Sequence, residues 1–231
     1  MQIAEIFYSI QGEGALTGVP SVFVRTSGCN LRCVWCDTKY ASWTPEHRDV
    51  AIDEVLAQVA RFTARHVVLT GGEPMTAEGI HALAAGLKAQ GKHITIESNG
   101  TVAPGGIAAD LASISPKLRN SEADAEKFPR EARMQSEARR WNLEALRGWI
   151  DGYDYQLKFV VAGAEDLGQI QELLRRLERE VPAERVMLMP EGVQSDVLRG
   201  RSEALVEICK RFGYRYCQRL HIELFGNTRG T

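Results

Sequence analysis

Residues 21–36 read SVFVRTSGCNLRCVWC. The run is β-branched and apolar as far as Thr26, then turns at Gly28 into three closely spaced cysteines. Its first half, Ser21–Thr26, predicts a strand covered on both faces, because it lacks strict polar alternation. Its second half, Cys29-Asn30-Leu31-Arg32-Cys33-Val34-Trp35-Cys36, has the spacing C-x3-C-x2-C. A loop of this kind at a strand end can turn three sulfurs round one centre, and thiolates are soft ligands suited to zinc or an iron–sulfur cluster. Structural zinc takes four protein ligands, commonly as two C-x2-C pairs, and only three thiols are near at hand. A cubane cluster held by three cysteines leaves one iron open to a small molecule. The spacing favours the cluster; a zinc site completed by Cys209, Cys217 or a histidine is the alternative, followed by incidental thiols.

Further strands are expected at His66–Thr70, His93–Glu97, Leu111–Ser115, Tyr155–Val161 and Arg185–Met189. Helical period separates them. Ile52, Val55, Leu56, Val59 and Phe62 share one face, as do Leu167, Ile170, Leu173, Leu174 and Leu177, and again Leu205, Ile208, Cys209 and Phe212. Six βα units imply a parallel α/β sheet, either open and doubly wound or a partial barrel. The stretch Leu118–Ile150 breaks the rhythm, with 13 charged residues among 33. It reads as an insertion, partly helical from Pro129 to Leu146, lying over a face of the sheet. Its charge pattern taken alone is that of a solvated helix. No internal repeat or domain boundary is visible, so residues 1–231 are read as one domain.

Composition bounds the function. The chain has 231 residues, 44% hydrophobic and 25% charged, which is the balance of a globular protein. A formal net charge of -2 lacks the strongly basic footprint of a general nucleic-acid binder. No apolar run approaches the roughly 20 residues of a membrane span. Glu5 and the missing basic leader predict no secretory signal, and five unevenly placed cysteines predict a reduced, cytoplasmic protein with a cofactor site.

The cysteine motif after the first predicted strand, with Trp35 just before its last cysteine, resembles the signature of radical S-adenosylmethionine enzymes. Thr70-Gly71-Gly72-Glu73-Pro74 supplies that superfamily's second element at a strand end. Glycines there let backbone approach a ligand closely, and carbonyls with a carboxylate suit a cationic amino group. The segment Glu5-Ile6-Phe7-Tyr8-Ser9-Ile10-Gln11-Gly12-Glu13-Gly14 narrows the resemblance to the 7-carboxy-7-deazaguanine synthase family. So do Phe23-Val24-Arg25, Cys36-Asp37-Thr38, Glu97-Ser98-Asn99-Gly100, Ser115-Pro116-Lys117 and Gly226-Asn227-Thr228-Arg229-Gly230.

This resemblance implies a partial (βα)6 TIM-like barrel. It also implies conversion of 6-carboxy-5,6,7,8-tetrahydropterin to 7-carboxy-7-deazaguanine, on the route to queuosine and other 7-deazapurines. In such enzymes an electron from a 4Fe-4S cluster cleaves S-adenosylmethionine. The resulting 5′-deoxyadenosyl radical takes hydrogen from the carbon bearing the carboxylate. Ring contraction follows, hydrogen returns, ammonia is lost, and magnesium is required. A flavodoxin-like reductant and a homodimer are implied too.

Carried over residue by residue, Cys29, Cys33 and Cys36 match the cluster ligands and Thr38 the magnesium ligand, a hard oxygen donor of the type that metal accepts. Arg25 matches a substrate-binding arginine whose fork suits a carboxylate. Ile10, Gln11, Gly12, Glu13 and Thr70 match the pterin-reading residues. Trp35, Asp37, Gly72, Ser115, Pro116 and Lys117 match S-adenosylmethionine contacts, with Met189, Pro190 and Glu191 more loosely aligned. Taken singly, Thr38 would read as a turn hydroxyl and Arg25 as a surface ion pair. The GNTRGT tail departs from the family's pattern, so no role is expected of Arg229 or Thr231. His47, His66, His81, His93 and His221 show no metal spacing and read as structural or exposed. The competing functions are a glycyl-radical activase and a non-catalytic iron–sulfur or zinc module; neither needs the QGEG segment, and a pure carrier needs no GGEP turn.

Overall fold

The computed structural model describes all 231 residues. Two strands, β1 (Gln2–Ile10) and β2 (Pro20–Thr26), lead through the cysteine loop to α1 (Lys39–Ser42) and the short β3 (Arg48–Asp49). There follow α2 (Ile52–Ala60), β4 (His66–Gly71), α3 (Ile80–Ala89), β5 (His93–Ser98) and β6 (Leu111–Ile114). The charged stretch carries α4 (Arg130–Arg139) and α5 (Leu143–Gly152). Then come β7 (Tyr155–Val161), α6 (Asp166–Leu177), β8 (Val186–Pro190), α7 (Ser195–Phe212), β9 (Arg215–Tyr216) and α8 (Leu220–Phe225).

The nine strands form one sheet in the order β3-β1-β2-β4-β5-β6-β7-β8-β9. From β2 onward every pairing is parallel, while β1 runs antiparallel to both β2 and β3. That order never reverses. Right-handed crossovers that all step in one direction put every helix on the same side of the sheet, so the sheet is singly wound. The choice left by the sequence resolves in favour of the partial barrel.

Strand alternation divides the labour between the two faces. Val22, Val24, Val67, Leu69, Ile94, Ile96, Ala112, Ile114, Leu157, Phe159, Val186 and Leu188 join the main apolar core beneath the helices. Their neighbours Arg25, Thr70, Glu97, Ser113, Lys158 and Met189 line the opposite, concave side. The expectation of strands covered on both faces therefore needs correcting: one face is packed and the other is a polar interior.

The charged stretch holds two helices where one was expected. The break falls at Asn142, whose side chain accepts a hydrogen bond from Ala145 N at 3.1 Å and restarts the chain as α5. Leu146 and Trp149 of α5 belong to the core, so α5 is the β6–β7 crossover helix. The rest lies against the cysteine loop: Arg32 N donates to Ser136 Oγ at 3.2 Å and Val34 N to Ser121 O at 3.2 Å. Phe128 meets Trp43 edge to face, centroids 4.9 Å apart.

Candidate active site

A cavity of about 470 Å³ opens at the carboxyl ends of the parallel strands, a size ordinary for small-molecule sites. It gathers residues from widely separated segments: Ile10, Gln11, Gly12, Glu13, Arg25, Cys29, Cys33, Trp35, Cys36, Asp37, Thr38, Thr70, Gly72, Ser115, Lys117 and Met189 all line it. Three sequence candidates do not. Pro116 and Pro190 are buried outside the lining, and the Glu191 carboxylate turns away to pair with Arg201.

The cysteine loop is held from behind. Arg32 Nη1 donates to the carbonyls of Cys29 (2.7 Å) and Leu31 (2.8 Å), and Trp43 Nε1 to that of Cys33 (3.2 Å). Asn99 Nδ2 donates to Asn30 Oδ1 at 3.0 Å and ties the loop to the end of β5. With the backbone occupied in this way, the thiols are free to face the cavity. Burial pushes the Cys29 thiol up to about 12, so it is no free nucleophile; a bound metal would supply the charge that ionises it. No group of three or more His, Cys, Asp or Glu side chains converges closely enough for a single metal ion. Three buried thiols on one wall, not meeting at a point, fit a polynuclear cluster that takes one thiolate per iron.

Gly72 explains the tight turn after β4. A Cβ there would lie 2.2 Å from Gly28 O and 2.7 Å from Cys29 Cβ, so only glycine lets this turn rest on the cysteine loop. Glu73 departs from expectation. Its buried carboxylate accepts from Met75 N (3.1 Å), Ser98 Oγ (2.9 Å) and Asn99 N (2.7 Å) and does not line the cavity. It fastens the turn to β5, leaving Gly71 and Gly72 as the turn's contribution to the wall.

Thr38 stands at the start of α1 without capping it: its side chain makes no cap hydrogen bond, and its only polar neighbour is Cys36 Sγ at 3.8 Å. An uncommitted hydroxyl beside the cluster loop suits a metal that keeps several waters. Glu97 accepts from Gln11 Nε2 (3.1 Å) on one oxygen and from Thr70 Oγ1 (3.0 Å) on the other, joining two of the predicted pterin contacts.

Glu13 lines the cavity with both oxygens already engaged. Lys158 Nζ pairs with one and Arg219 Nε donates to the other at 3.0 Å, while Arg219 also bonds Asp37. Burial alone would raise the Glu13 pKa, but the Lys158 and Arg219 charges outweigh it and hold the carboxyl well below the usual carboxylate range. The reading of Glu13 as a direct pterin contact gives way to that of an organiser of cations. The histidine reading also needs correcting, because His221 faces the cavity with Nε2 3.9 Å from Glu13. Gly12 makes room for it, since a Cβ there would lie 2.0 Å from His221 Nδ1. The tail, too, lines the mouth, from Asn227 to Thr231. Lys158 was legible in the alternation of Tyr155–Val161. Arg219 and His221 carried no local signal.

The radical SAM superfamily model matches residues 23–117. A 7-carboxy-7-deazaguanine synthase of Rhodopirellula baltica is 48% identical over 230 residues, 99% of this chain and 88% of that protein. Its counterpart in Halobacterium salinarum is 43% identical over all of this chain and 93% of its own length. Among solved structures, QueE from Escherichia coli superposes with a TM-score of 0.67 at 28% identity, covering 95% of this chain and 94% of that one. TYW1 with a lysine-pyruvate adduct bound has a TM-score of 0.52 at 14% identity over 81% of this chain and 73% of its own, a likeness of fold alone.

Proposed function

The chain belongs to the 7-carboxy-7-deazaguanine synthase family of the radical S-adenosylmethionine superfamily, and from that premise we propose how its pocket serves the reaction. The enzyme is a lyase that converts 6-carboxy-5,6,7,8-tetrahydropterin to 7-carboxy-7-deazaguanine with loss of ammonia, a step of queuosine biosynthesis. Cys29, Cys33 and Cys36 would hold the 4Fe-4S cluster. When bound, the reduced cluster and S-adenosylmethionine supply the radical that abstracts the substrate's hydrogen. The Gly71–Gly72 turn, Trp35, Asp37, Ser115 and Lys117 form the cofactor side of the cavity; Met189 lies on the same wall.

On the substrate side, Gln11, Thr70 and Glu97 present fixed donors and acceptors to the pterin edge, where an unpaired polar group discriminates strongly against analogues. Arg25 takes the carboxylate. Lys158, Arg219 and Asp37, organised by Glu13, set the charge of the wall between the two halves. Thr38 holds magnesium with waters and substrate oxygens filling the remaining positions. A flavodoxin-like reductant, a cytoplasmic setting and a homodimer complete the reading; no helix is long and apolar enough to cross a membrane.

The observation that carries this reading is convergence. The thiols, Thr38, Arg25, Gln11 and Thr70, scattered over the first 70 residues, line one cavity. The test is turnover by anaerobically reconstituted protein given reductant, S-adenosylmethionine, magnesium and 6-carboxytetrahydropterin. Product of the mass of 7-carboxy-7-deazaguanine is expected without any protein partner. Deoxyadenosine formed only when a second protein is added would point to an activase, and none at all to an electron carrier.

A further inference from the structure

At the cavity mouth, β1 and β2 hold an arrangement that the assignments above do not use. The β1–β2 register shifts between Ile3 and Glu5, a bulge that leaves Ala4 unpaired and sets Glu5 directly across from Arg25. Bulges re-aim side chains where a ladder passes an active site. Here Glu5 Oε1 accepts from Arg25 Nε at 2.7 Å and from Tyr40 OH at 2.7 Å. Glu5 Oε2 accepts from Arg229 Nε at 3.3 Å, while Arg229 Nη2 reaches the free carbonyl of the bulged Ala4 at 3.4 Å. Arg229 also lies 4.0 Å over the Tyr40 ring and pairs with Glu46 at 2.9 Å.

Arg25 is engaged only through Nε. Its two terminal nitrogens have no protein partner, and its guanidinium carbon sits 5.8 Å from the centre of the Phe7 ring, which stacks on Phe23. Glu5, Tyr40, Arg229, Phe7 and Phe23 all line the cavity beside it. An arginine gripped by Nε and backed by an aromatic face loses little freedom when it binds, and its terminal pair remains available for bidentate contact with a carboxylate.

We infer that Glu5 is a positioning residue that orients Arg25 for the substrate's carboxylate, with Tyr40 and the tail's Arg229 fixing Glu5 in turn. The inference rests on the reading of Arg25 as the carboxylate ligand. It gives the C-terminal tail a task that its unusual sequence concealed: Arg229 bridges the bulge, Glu5 and Glu46, and so ties the tail to the substrate side of the pocket.

The test is a double-mutant cycle on reconstituted holoenzyme, reading pterin KM and kcat, S-adenosylmethionine binding, and deoxyadenosine released per product formed. Glu5→Gln and Tyr40→Phe are each expected to raise pterin KM, the former by roughly tenfold, as befits a lost charge-assisted bond. Cofactor binding should stay unchanged, and more deoxyadenosine should appear per product. In an Arg25→Ala background Glu5→Gln should add nothing further, because its effect passes through Arg25. Arg229→Gln should show a smaller rise of the same kind. If Glu5→Gln costs its full factor on top of Arg25→Ala, or if it and Tyr40→Phe leave KM unchanged, Glu5 does not position Arg25. An Arg25→Ala variant with normal pterin KM would instead remove the carboxylate role itself. Tyr40→Phe removes one hydroxyl from a partly exposed ring, so it remains informative should a Glu5 variant fold poorly.

Discussion

Thr38 shows how one residue's chemistry follows from what it does not do. A threonine at a helix start ordinarily spends its hydroxyl on the cap, yet this one makes no cap bond and faces the cavity. Thr38→Val keeps the volume and removes the donor oxygen, so the cluster should assemble normally while turnover falls. Apparent magnesium affinity should drop by at least the roughly tenfold that losing even an outer partner costs a metal site. Turnover titrated against magnesium in both proteins decides the matter; superimposable curves would remove the metal from Thr38. The residues around it were legible to different degrees. Cys29, Cys33, Cys36, Arg25 and Gln11 sit in dense local motifs. Glu191 sat in a looser one and turned out to face Arg201.

Among elements, β1 shows a different limit. Its sequence Gln2–Ile10 mixes polar and apolar residues without clean alternation, because the Ile3/Glu5 bulge shifts the phase partway along. No strand was expected there. The starts of β4 and β5 carry a testable feature of their own. His66 and His93 are register partners with rings 4.6 Å apart, and the Nδ1 atom of each is buried without a partner. Burial, then the neighbouring His93 and Arg65, lower the His66 pKa. The unfolded chain therefore takes up this proton near pH 6.5 and the folded chain only lower down. Stability is complete above about 6.5 and falls as pH drops from there to the folded-state value. His221 is shifted in the same direction, so wild type alone cannot isolate the pair. The Tm of wild type should decline more between pH 7.5 and 5.5 than that of His66→Gln; parallel declines would refute the claim.

At the scale of the whole molecule, the five cysteines divide by position in the barrel. Cys29, Cys33 and Cys36 line the cavity. Cys209 is in the main core on α7, and Cys217 packs with Val160, Met187 and Met189 on the inner side. Burial pushes both of the latter thiols up to about 11. Cys209→Ser and Cys217→Ser should each retain four iron and four sulfide per chain, whereas a serine at any of the three lining positions should not. Loss of iron from either distal variant would require a fourth thiolate. The same large-scale assembly explains the ionic wall: Glu13 and Asp37 near the start of the chain meet Lys158 from β7 and Arg219 from just before α8. Breaking one partner of such a buried set strands the other charge, a penalty of about 3–5 kcal/mol.

By itself the sequence determined the cofactor chemistry, the reaction family and the βα repeat. Thiol spacing, turn glycines and apolar period are local properties, written within a few residues of one another. Even the polar interior was present in Thr95-Ile96-Glu97 and Gln156-Leu157-Lys158, although runs this short do not say which face is packed. Only the tertiary structure decided that the sheet winds one way, that Glu73 turns inward, and that Arg219, His221 and Arg229 reach the cavity. Those outcomes depend on contacts such as Arg229 to Glu5, 224 positions apart. Chain closure over such a distance leaves no periodicity in the sequence; it is set by strand order, by one bulge, and by glycines whose missing side chains let distant segments meet.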